Sequence, residues 1–312
     1  MAITLGIIVP CYNEQEVFPE TGRRLLELLS RLQASHLISS DSALYFVDDG
    51  SKDDTWNLID ALAKQDARVH GVKLSRNRGH QNALLAGLSV AAGDAVVTVD
   101  ADLQDDINVI EEMVQRFSEG CEIVYGVRIS RSADTAFKRG TAQAYYKLLA
   151  SVGVDIVYNH ADYRLMSRRA VTHLQEYSEV NLFLRGIIPQ LGFNSATVHY
   201  DRSARLAGES KYPLGRMLAL AFDGVTSFSV TPLRFIAVLG LLIFMMSFAM
   251  VFWVLYGRMF MQTAIPGWAS SVIPTYFLGG IQLLSIGVIG EYVAKIYMET
   301  KRRPRFSIEI VI

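Results

Sequence analysis

The chain has 312 residues, of which 51% are hydrophobic, and 30 basic and 31 acidic residues give it a formal net charge of −1. This composition excludes a disordered chain and gives no support to a strongly basic nucleic-acid-binding protein. Residues 1–234 hold 24 basic and 28 acidic side chains, whereas residues 235–312 hold 6 basic and 3 acidic ones and nearly all the long apolar runs. We therefore predict a soluble domain joined to a membrane-embedded C-terminal part.

Short apolar runs alternate with helical patterns from the N-terminus onward. We predict strands at residues 4–9, 44–47, 69–74, 95–99 and 123–127, and helices at 16–32, 55–63, 80–91 and 109–117. This alternation predicts an α/β fold with a doubly wound, mostly parallel sheet. The first run has no basic leader, so we interpret it as a strand and not as a signal peptide. Cys11 and Cys121 are too few for a disulfide framework or a zinc site, and we expect two reduced thiols.

Polar residues cluster where the predicted strands end, which in such sheets is the edge where ligands bind. The clusters are PCYNE at 10–14, DDGS at 48–51, SRNRG at 75–79 and DADLQDD at 100–106. The motifs GxGxxG and GxxxxGK[ST] are absent, so the main sequence evidence for a dinucleotide site or a P-loop is missing. Acidic groups repel phosphate unless a cation lies between them. The acidic edge therefore predicts Mg²⁺ or Mn²⁺ and, through the metal, a nucleotide diphosphate.

Two uncharged runs near the C-terminus are long enough to cross a membrane. As helices, residues 235–256 and 272–290 span about 33 Å and about 28 Å. A buried core helix is the alternative, but two such runs separated by a short connector favour a transmembrane hairpin. The connector has one basic residue, Arg258, whereas basic residues are frequent on the other side of both runs. By the positive-inside rule, the large domain and both termini face the cytoplasm.

The runs VPCYNE, VDDGSKDDT and VDADLQDD, in this order and at strand ends, resemble the signature of inverting family 2 glycosyltransferases with the GT-A fold. More narrowly, the chain resembles polyprenyl-phosphate glycosyltransferases, which include dolichyl-phosphate mannose synthases and bacterial bactoprenol glucosyltransferases. The likeness covers essentially the whole chain, including LSRNRGHQNALLAGL, ADYRLMSRRA, RLAGESKYPLGRM and the terminal hairpin. It implies a cytosolic GT-A catalytic domain at 1–200, a juxtamembrane acceptor-binding and interfacial segment at 201–234, two transmembrane helices within 235–290, and a cytosolic basic tail at 291–312.

The resemblance also implies roles for the donor-binding loops. It assigns the base and ribose pocket to residues of the first loop: Pro10, Tyr12, Asn13 and Glu14. It assigns the nucleoside to Asp48 or Asp49, for which the alternative is an ordinary turn that caps the next helix.

Strand alternation puts Asp100 and Asp102 on the same side, where like charges raise a pKa unless a cation is bound. The resemblance implies that Asp102 and Gln104 hold the metal, that Asp100 lies close to the sugar or ribose, and that both aspartates serve catalysis. A solvated acidic loop is the alternative. We accept that alternative for Asp105 and Asp106, which we predict to cap the following helix.

Phosphate contacts are expected from basic side chains, although such residues are usually solvated at the surface. The resemblance assigns Arg128 to the donor, and Lys138 and Arg139 lie on a loop that could close over it and contact phosphate. Asp162 resembles the position proposed as catalytic base. A structural acid paired with Arg164 or another neighbouring arginine remains open.

The acceptor phosphate is expected beside the membrane, at Arg205, Ser210 and Lys211 of RLAGESKY. A general basic patch attracted to anionic lipids is the alternative. Residues 214–228 combine apolar side chains with charges and are expected to form an interfacial helix.

We therefore expect inverting transfer of a single hexose, preferably from UDP-glucose to undecaprenyl phosphate, by a multi-pass protein of the bacterial inner membrane. The QxxRW motif of processive polysaccharide synthases is absent, which favours one sugar per transfer. GDP-mannose, UDP-GlcNAc or an aminoarabinose nucleotide stay open as donors, and so does a catalytically inactive membrane-anchored binding protein. We expect no nucleic-acid partner. Small residues in the second membrane helix make a homo-oligomer a hypothesis.

Overall fold

The computed structural model describes residues 2–129, 160–177, 179, 184–201, 231–256 and 267–312. The strands are β1 (Leu5–Cys11), β2 (Ala43–Asp48), β3 (Val69–Leu74), β4 (Ala95–Thr98), β5 (Ile123–Arg128), β6 (His160–Ser167), β7 (Ser195–Tyr200) and β8 (Ile308–Val311). The helices are α1 (Phe18–Ala34), α2 (Thr55–Gln65), α3 (His80–Val90), α4 (Val109–Ser118), α5 (Arg168–Glu176), α6 (Leu184–Gln190), α7 (Thr231–Tyr256) and α8 (Gly267–Lys301).

The eight strands form one sheet in the order β7-β5-β6-β4-β1-β2-β3-β8. Strand β1 lies between β2 and β4 and runs parallel to both, and the pairs β2–β3 and β5–β7 are also parallel. Strand β6 is antiparallel to β4 and β5, and β8 is antiparallel to β3. This confirms an α/β fold with a mostly parallel sheet.

Helices cover both faces of the sheet, which explains why β1 and β2 are buried along their whole length. Side chains alternate along β1, so Leu5, Ile7 and Val9 join a core with α1, α2 and α4, whereas Ile8 joins a core with α3, α5 and α6. Helix α3 lies very close to this second face. A Cβ atom on Gly87 would lie 2.4 Å from Ile8 Cγ2, so glycine is needed where the helix crosses the strand.

The two helices near the C-terminus, α7 and α8, are in contact with each other. In the described part of the chain, one stretch, Phe277–Lys301, is long and apolar enough to cross a membrane, and Pro232–Ile243 is a shorter apolar helix. The predicted run 235–256 lies within α7, and the run 272–290 lies within the longer α8. One long apolar helix therefore suggests membrane association, and the transmembrane hairpin and the orientation stay predictions.

The predicted basic tail at 291–312 contains regular secondary structure. Helix α8 continues to Lys301, and β8 then adds an antiparallel edge strand to β3. The N–H of Gly71 donates to the Ile312 carbonyl at 3.1 Å, and the N–H of Ile312 donates back at 2.9 Å. Strand β8 begins opposite Leu74, the last residue of β3. The connector 302–307 therefore reaches the carboxyl edge of the sheet.

Candidate active site

The loops that follow β1, β2 and β4 meet at this carboxyl edge. Cys11 and Asp48 are register partners at the ends of β1 and β2, and the N–H of Asp49 donates to the Cys11 carbonyl at 2.9 Å. The N–H of Val99, just after β4, donates to the Ile8 carbonyl at 3.0 Å. The strand pairing thus brings together three of the polar clusters predicted from the sequence.

The loop after β1 is hydrogen-bonded to the loop after β2. The N–H of Asn13 donates to Ser51 Oγ at 3.0 Å, and Asn13 Oδ1 accepts from the N–H of Lys52 at 2.8 Å. Asn13 has a φ of 54°, a left-handed conformation that is uncommon for a residue other than glycine. The side chain of Tyr12 is exposed beside this junction. The loop therefore has a fixed backbone and presents an aromatic ring to solvent.

The other two residues predicted for the base and ribose pocket are less accessible. Pro10 is buried within β1 opposite Val47, and the N–H of Glu14 donates to Thr55 Oγ1 at 2.9 Å. Both residues therefore help to shape the edge of the sheet, and their contact with a ligand stays a prediction.

Asp48 and Asp49 are both buried but have different contacts. Asp49 Oδ1 accepts from the N–H of Arg78 at 2.7 Å, and Asp49 Oδ2 accepts from the N–H of Gly79 at 2.8 Å. Burial raises the pKa of Asp49, and the two N–H donors limit the rise. Asp48 Oδ1 accepts from the N–H of Ser51 at 3.1 Å, whereas its Oδ2 is buried with no hydrogen-bond partner among the described residues. Asp48 is thus the better candidate for a ligand contact, and Asp49 fixes the β3–α3 loop.

The acidic loop after β4 places Asp100 and Asp102 partly exposed at the edge, and Gln104 in the same loop is buried. Leu103, between Asp102 and Gln104, has a φ of 52°, which is a strained conformation at this loop. Asp102 Oδ1 accepts from the N–H of Gln104 at 3.2 Å. The loop therefore holds these groups in a defined backbone arrangement.

Negative charge accumulates around Asp100. Burial raises the pKa of Asp100 to about 6, the His80 ring opposes the rise, and the charges of Asp105, Asp162 and Asp102 add to it. In the part of the chain that the structure describes, no group of three His, Cys, Asp or Glu side chains could hold a metal by itself. Mg²⁺ sites commonly use one or two carboxylates and complete their coordination with water and substrate phosphates. The donor set of Asp102 and Gln104 and the excess of negative charge fit such a site.

Asp162, on β6, is buried between two arginines. Arg164 Nη2 donates to Asp162 Oδ1 at 2.5 Å, and Arg185 Nη2, from α6, donates to Asp162 Oδ2 at 2.9 Å. Burial alone would raise the pKa of Asp162, but Arg185 and Arg164 outweigh it and hold the pKa well below its ordinary value. This geometry supports the structural alternative, because a carboxylate with a lowered pKa is a weak base.

His80, the first residue of α3, lies between two of the acidic groups. Its Nε2 atom is 3.5 Å from Asp100 Oδ1 and 3.7 Å from Asp162 Oδ2. The side chain is 43% exposed, so it lines the open side of the acidic edge.

Arg128, at the end of β5, is held by a buried acid. Its Nε and Nη2 atoms donate to Asp105 Oδ1 at 3.1 and 2.9 Å, and the Tyr200 hydroxyl donates to the same oxygen at 2.6 Å. The prediction that Asp105 caps the next helix was therefore wrong, because its carboxylate points across the sheet to β5 and β7. Asp106 does fold the turn before α4, since its Oδ1 accepts from the N–H of Asn108 at 3.0 Å.

Residues 6–174, more than half of the chain, match the family described as Glycosyl transferase family 2. The chain belongs to glycosyl transferase family 2. An uncharacterized glycosyltransferase of Bacillus subtilis, YkoT, is 51% identical and covers 98% of this chain and 91% of its own length. The bactoprenol glucosyl transferase of Shigella phage SfX is 38% identical and covers 98% of each chain. A prophage bactoprenol glucosyl transferase homolog of Escherichia coli is 37% identical over 98% of this chain and 99% of its own.

Among solved structures, glucosyl-3-phosphoglycerate synthase from Mycobacterium tuberculosis, crystallised with Mn²⁺, uridine-diphosphate and phosphoglyceric acid, is 19% identical to this glycosyltransferase. The match covers 72% of this chain and 76% of that one, with a TM-score of 0.46. Similarity at this level carries no argument about the ligands of this chain.

The acceptor-phosphate residues predicted for this glycosyltransferase lie outside the described residues. They are Lys138, Arg139, Arg205, Ser210 and Lys211, and the predicted interfacial helix at 214–228 lies outside as well. Their roles stay predictions.

Sequence reasoning missed three residues that this family 2 glycosyltransferase places at the site, His80, Arg185 and Tyr200, and it predicted only a helix cap for Asp105. His80 belongs to the run SRNRGHQN, so its place in a strand-end cluster was a usable signal. Tyr200 and Arg185 lie far along the chain from the acids that they contact, and local patterns carry no signal for them.

Proposed function

We propose that this glycosyltransferase transfers a single hexose from a nucleotide sugar to the phosphate of a polyprenol at the cytosolic face of the bacterial inner membrane. UDP-glucose and undecaprenyl phosphate are the preferred substrates. An oxygen of the lipid phosphate attacks the anomeric carbon, the bond from that carbon to the diphosphate breaks, and the nucleoside diphosphate leaves with inversion.

The path of the C-terminal segment is the observation that carries this proposal. The apolar stretch Phe277–Lys301 is followed by a connector of six residues, 302–307, that leads to the carboxyl end of β3. An extended connector of that length spans at most about 20 Å. Neighbouring strands are about 4.8 Å apart, so the acidic loop after β4 lies about 14 Å across the sheet from the end of β3. The acidic edge is therefore tethered close to the end of the apolar stretch, and this end is proposed to lie on the side of the membrane where a lipid phosphate is available.

The relatives support the same acceptor. Bactoprenol glucosyl transferases of Shigella phages are 38% identical to this chain, and the matches include both the sheet domain and the C-terminal helices. Their names state a bactoprenol substrate and a glucosyl group. Identity at this level over the full length supports extending both substrates to this chain as a proposal.

The donor is proposed to lie along the loops after β1 and β2. Tyr12 offers an exposed ring for stacking on the base, and Asp48 Oδ2 is a buried acceptor with no partner in the described part of the chain. A nucleoside N–H or O–H donor would satisfy that oxygen, which otherwise costs free energy to bury. Asn13 and Asp49 support the site by fixing the backbone of the surrounding loops.

Asp102 and Gln104 are the residues that would hold Mg²⁺ or Mn²⁺. When bound, the metal would neutralise the diphosphate and stabilise the charge that develops on it as it leaves. The neighbouring Asp100 is proposed to contact the sugar or ribose.

The acceptor needs little help from a base. A phosphate monoester has a second pKa near ~6, so the lipid phosphate is largely dianionic at neutral pH and is already a nucleophile. The lowered pKa of Asp162 agrees with this chemistry, since Asp162 remains a charged partner of Arg164 and Arg185 and need not accept a proton. What the acceptor needs is positive charge for positioning.

We propose that the lipid phosphate is bound by the juxtamembrane residues Arg205, Ser210 and Lys211, and that Lys138 and Arg139 approach from the donor side. Helices α7 and α8 are proposed to form a transmembrane hairpin, with both termini in the cytoplasm because the basic residues flank that side. Arg128 is proposed to contact the donor diphosphate while Asp105 and Tyr200 hold its guanidinium.

A donor panel tests the proposal. Detergent-purified protein is incubated with undecaprenyl phosphate, Mg²⁺ and one radiolabelled donor at a time: UDP-glucose, GDP-mannose or UDP-GlcNAc. We expect lipid-extractable label mainly from UDP-glucose, and less label from a folded Asp102→Asn variant at the same Mg²⁺ concentration. If only another donor gave labelled lipid, glucose would be wrong as the proposed sugar, but the proposed type of reaction would stand. No labelled lipid from any donor, with folded wild-type protein, would reject the proposed function.

A further inference from the structure

His80 lies between two acids of the site: Asp162, which two arginines hold, and Asp100, whose carboxylate faces other negative charges. Its Nε2 atom is within ion-pair distance of two carboxylates, at 3.5 Å from Asp100 Oδ1 and 3.7 Å from Asp162 Oδ2. Both distances exceed a good hydrogen bond, so a small movement of the ring would let it donate to either oxygen. The Nε2 atom therefore lies between the acid proposed to contact the sugar and the acid on β6.

One side of this bridge is rigid. Asp162 is 7% exposed and its two oxygens are held by Arg164 and Arg185. Groups in such a paired and buried network have little freedom to move. Asp162 can therefore serve as an anchor for the imidazole.

The backbone that carries His80 is fixed as well. Asp49 accepts hydrogen bonds from the N–H groups of Arg78 and Gly79, the two residues before His80. Gly79 has a φ of 88°, and its carbonyl accepts from the N–H of Asn82 at 3.0 Å, which begins α3. The buried second acid of the DDGS cluster thus sets where the imidazole enters the site.

Asp100 has no comparable support. Its carboxylate faces the charges of Asp105, Asp162 and Asp102. Within the described residues, His80 is the one basic side chain within ion-pair distance of Asp100. Repulsion from the other acids would favour alternative positions of the Asp100 side chain, and the imidazole opposes that tendency.

We propose that His80 is a positioning residue that holds the Asp100 carboxylate in place by linking it to the arginine-bound Asp162. The inference rests on the proposed function, because Asp100 is taken to contact the donor sugar or ribose. The imidazole acts through Asp100. Misplacing a positioned group by about 1 Å can lower a rate about 100-fold, so the effect of His80 is expected in the rate of transfer.

The first test is a kinetic comparison of His80→Ala and His80→Gln. The glutamine amide keeps an N–H donor at similar reach. We expect His80→Ala to lower kcat about 10- to 100-fold with little change in the KM of the nucleotide sugar, and His80→Gln to recover most of the loss. The matched control is His173→Ala on α5, an exposed histidine 3.6 Å from Glu176, which should keep wild-type kinetics.

Wild-type kcat in His80→Ala would overturn the inference, and so would equal losses in His80→Ala and His80→Gln. A change confined to the KM of the nucleotide sugar would also overturn it, because that result would indicate a direct binding contact.

The second test does not require activity. Thermal unfolding of His80→Ala is compared in the wild-type and Asp100→Asn backgrounds. We expect His80→Ala to lower the unfolding temperature only where residue 100 is a carboxylate, because an asparagine amide is not repelled by the neighbouring acids and needs less support from the imidazole. Equal lowering in both backgrounds, or none in either, would overturn the link between the two residues. If wild-type protein transfers no sugar, the proposed function fails, and the unfolding comparison still decides whether His80 holds Asp100.

Discussion

Replacing Asp162 by asparagine removes the negative charge that faces two guanidinium groups. Arg164 is 1% exposed, so the substitution would leave its charge buried without a counter-ion. Breaking a buried ion pair by removing one partner costs about 3–5 kcal/mol. Arg185 is 37% exposed and can be rehydrated, so its share is small, below about 1 kcal/mol. Asparagine keeps one oxygen acceptor, and we therefore expect a loss near the lower limit, about 3 kcal/mol.

The loss is measurable by thermal unfolding of the purified protein, followed by circular dichroism. For a domain of this size, about 3 kcal/mol corresponds to a decrease of about 6–12 °C in Tm. The matched control is Asp60→Asn, which removes an exposed pair with Lys64 on α2 and should cost less than about 0.5 kcal/mol. A Tm of Asp162→Asn within 2 °C of wild type, which corresponds to about 1 kcal/mol or less, would refute the structural role.

The contribution of Asp162 to the stability of the folded protein depends on pH with a definite sign. The pKa of Asp162 is lower in the folded protein than in the unfolded chain, so the unfolded state binds the proton more readily. The stabilisation that ionised Asp162 provides is therefore complete above the ordinary aspartate pKa of about 4. It is lost as the pH falls through the lower pKa that Asp162 has in the folded protein. The difference in stability between wild type and Asp162→Asn should be constant near neutral pH and become smaller only in acid.

Three further changes test other parts of the structure. Tyr200→Phe removes a hydroxyl that donates to Asp105 at 2.6 Å and should cost about 1–3 kcal/mol in chemical denaturation, and unchanged stability would contradict the contact. Deleting residues 306–312 removes β8, so the N–H of Gly71 should exchange faster with deuterium, and an unchanged rate would contradict the pairing. A chelator should abolish sugar transfer, and added Mg²⁺ or Mn²⁺ should restore it. The Asp102→Asn variant should need a higher metal concentration for the same rate, and transfer in excess chelator would contradict the proposed metal site.

The central strands were predictable because they are continuous apolar runs covered on both faces. β6 was missed although it lies inside the sheet. Its sequence HADYRLMS contains an acid and an arginine that are buried together as an ion pair, and hydrophobic periodicity does not detect such a pair. β8 was missed for a different reason, since its partner β3 lies more than two hundred residues earlier and pairing over that distance leaves no local pattern.

The residues of the candidate site likewise fall into those that the local sequence predicted and those that it did not. Strand-end clusters predicted that Asp48, Asp100 and Asp102 lie close together, because parallel strands bring their carboxyl ends to one edge. The role of Asp105 could not be predicted, since its partners Arg128 and Tyr200 are 23 and 95 residues away. The local sequence suggested a helix cap, and the three-dimensional contacts determine the function of the side chain.

Mass spectrometry of the lipid product tests the central claim most directly. Purified protein is incubated with UDP-glucose, undecaprenyl phosphate and Mg²⁺, and the lipid extract and the released nucleotide are both quantified. We predict undecaprenyl phosphate carrying one hexose and no more, formed in equal amount to the UDP released. Consumption of UDP-glucose without a lipid-linked hexose, or a lipid that carries several hexoses, would contradict the transfer of a single sugar to a polyprenyl phosphate.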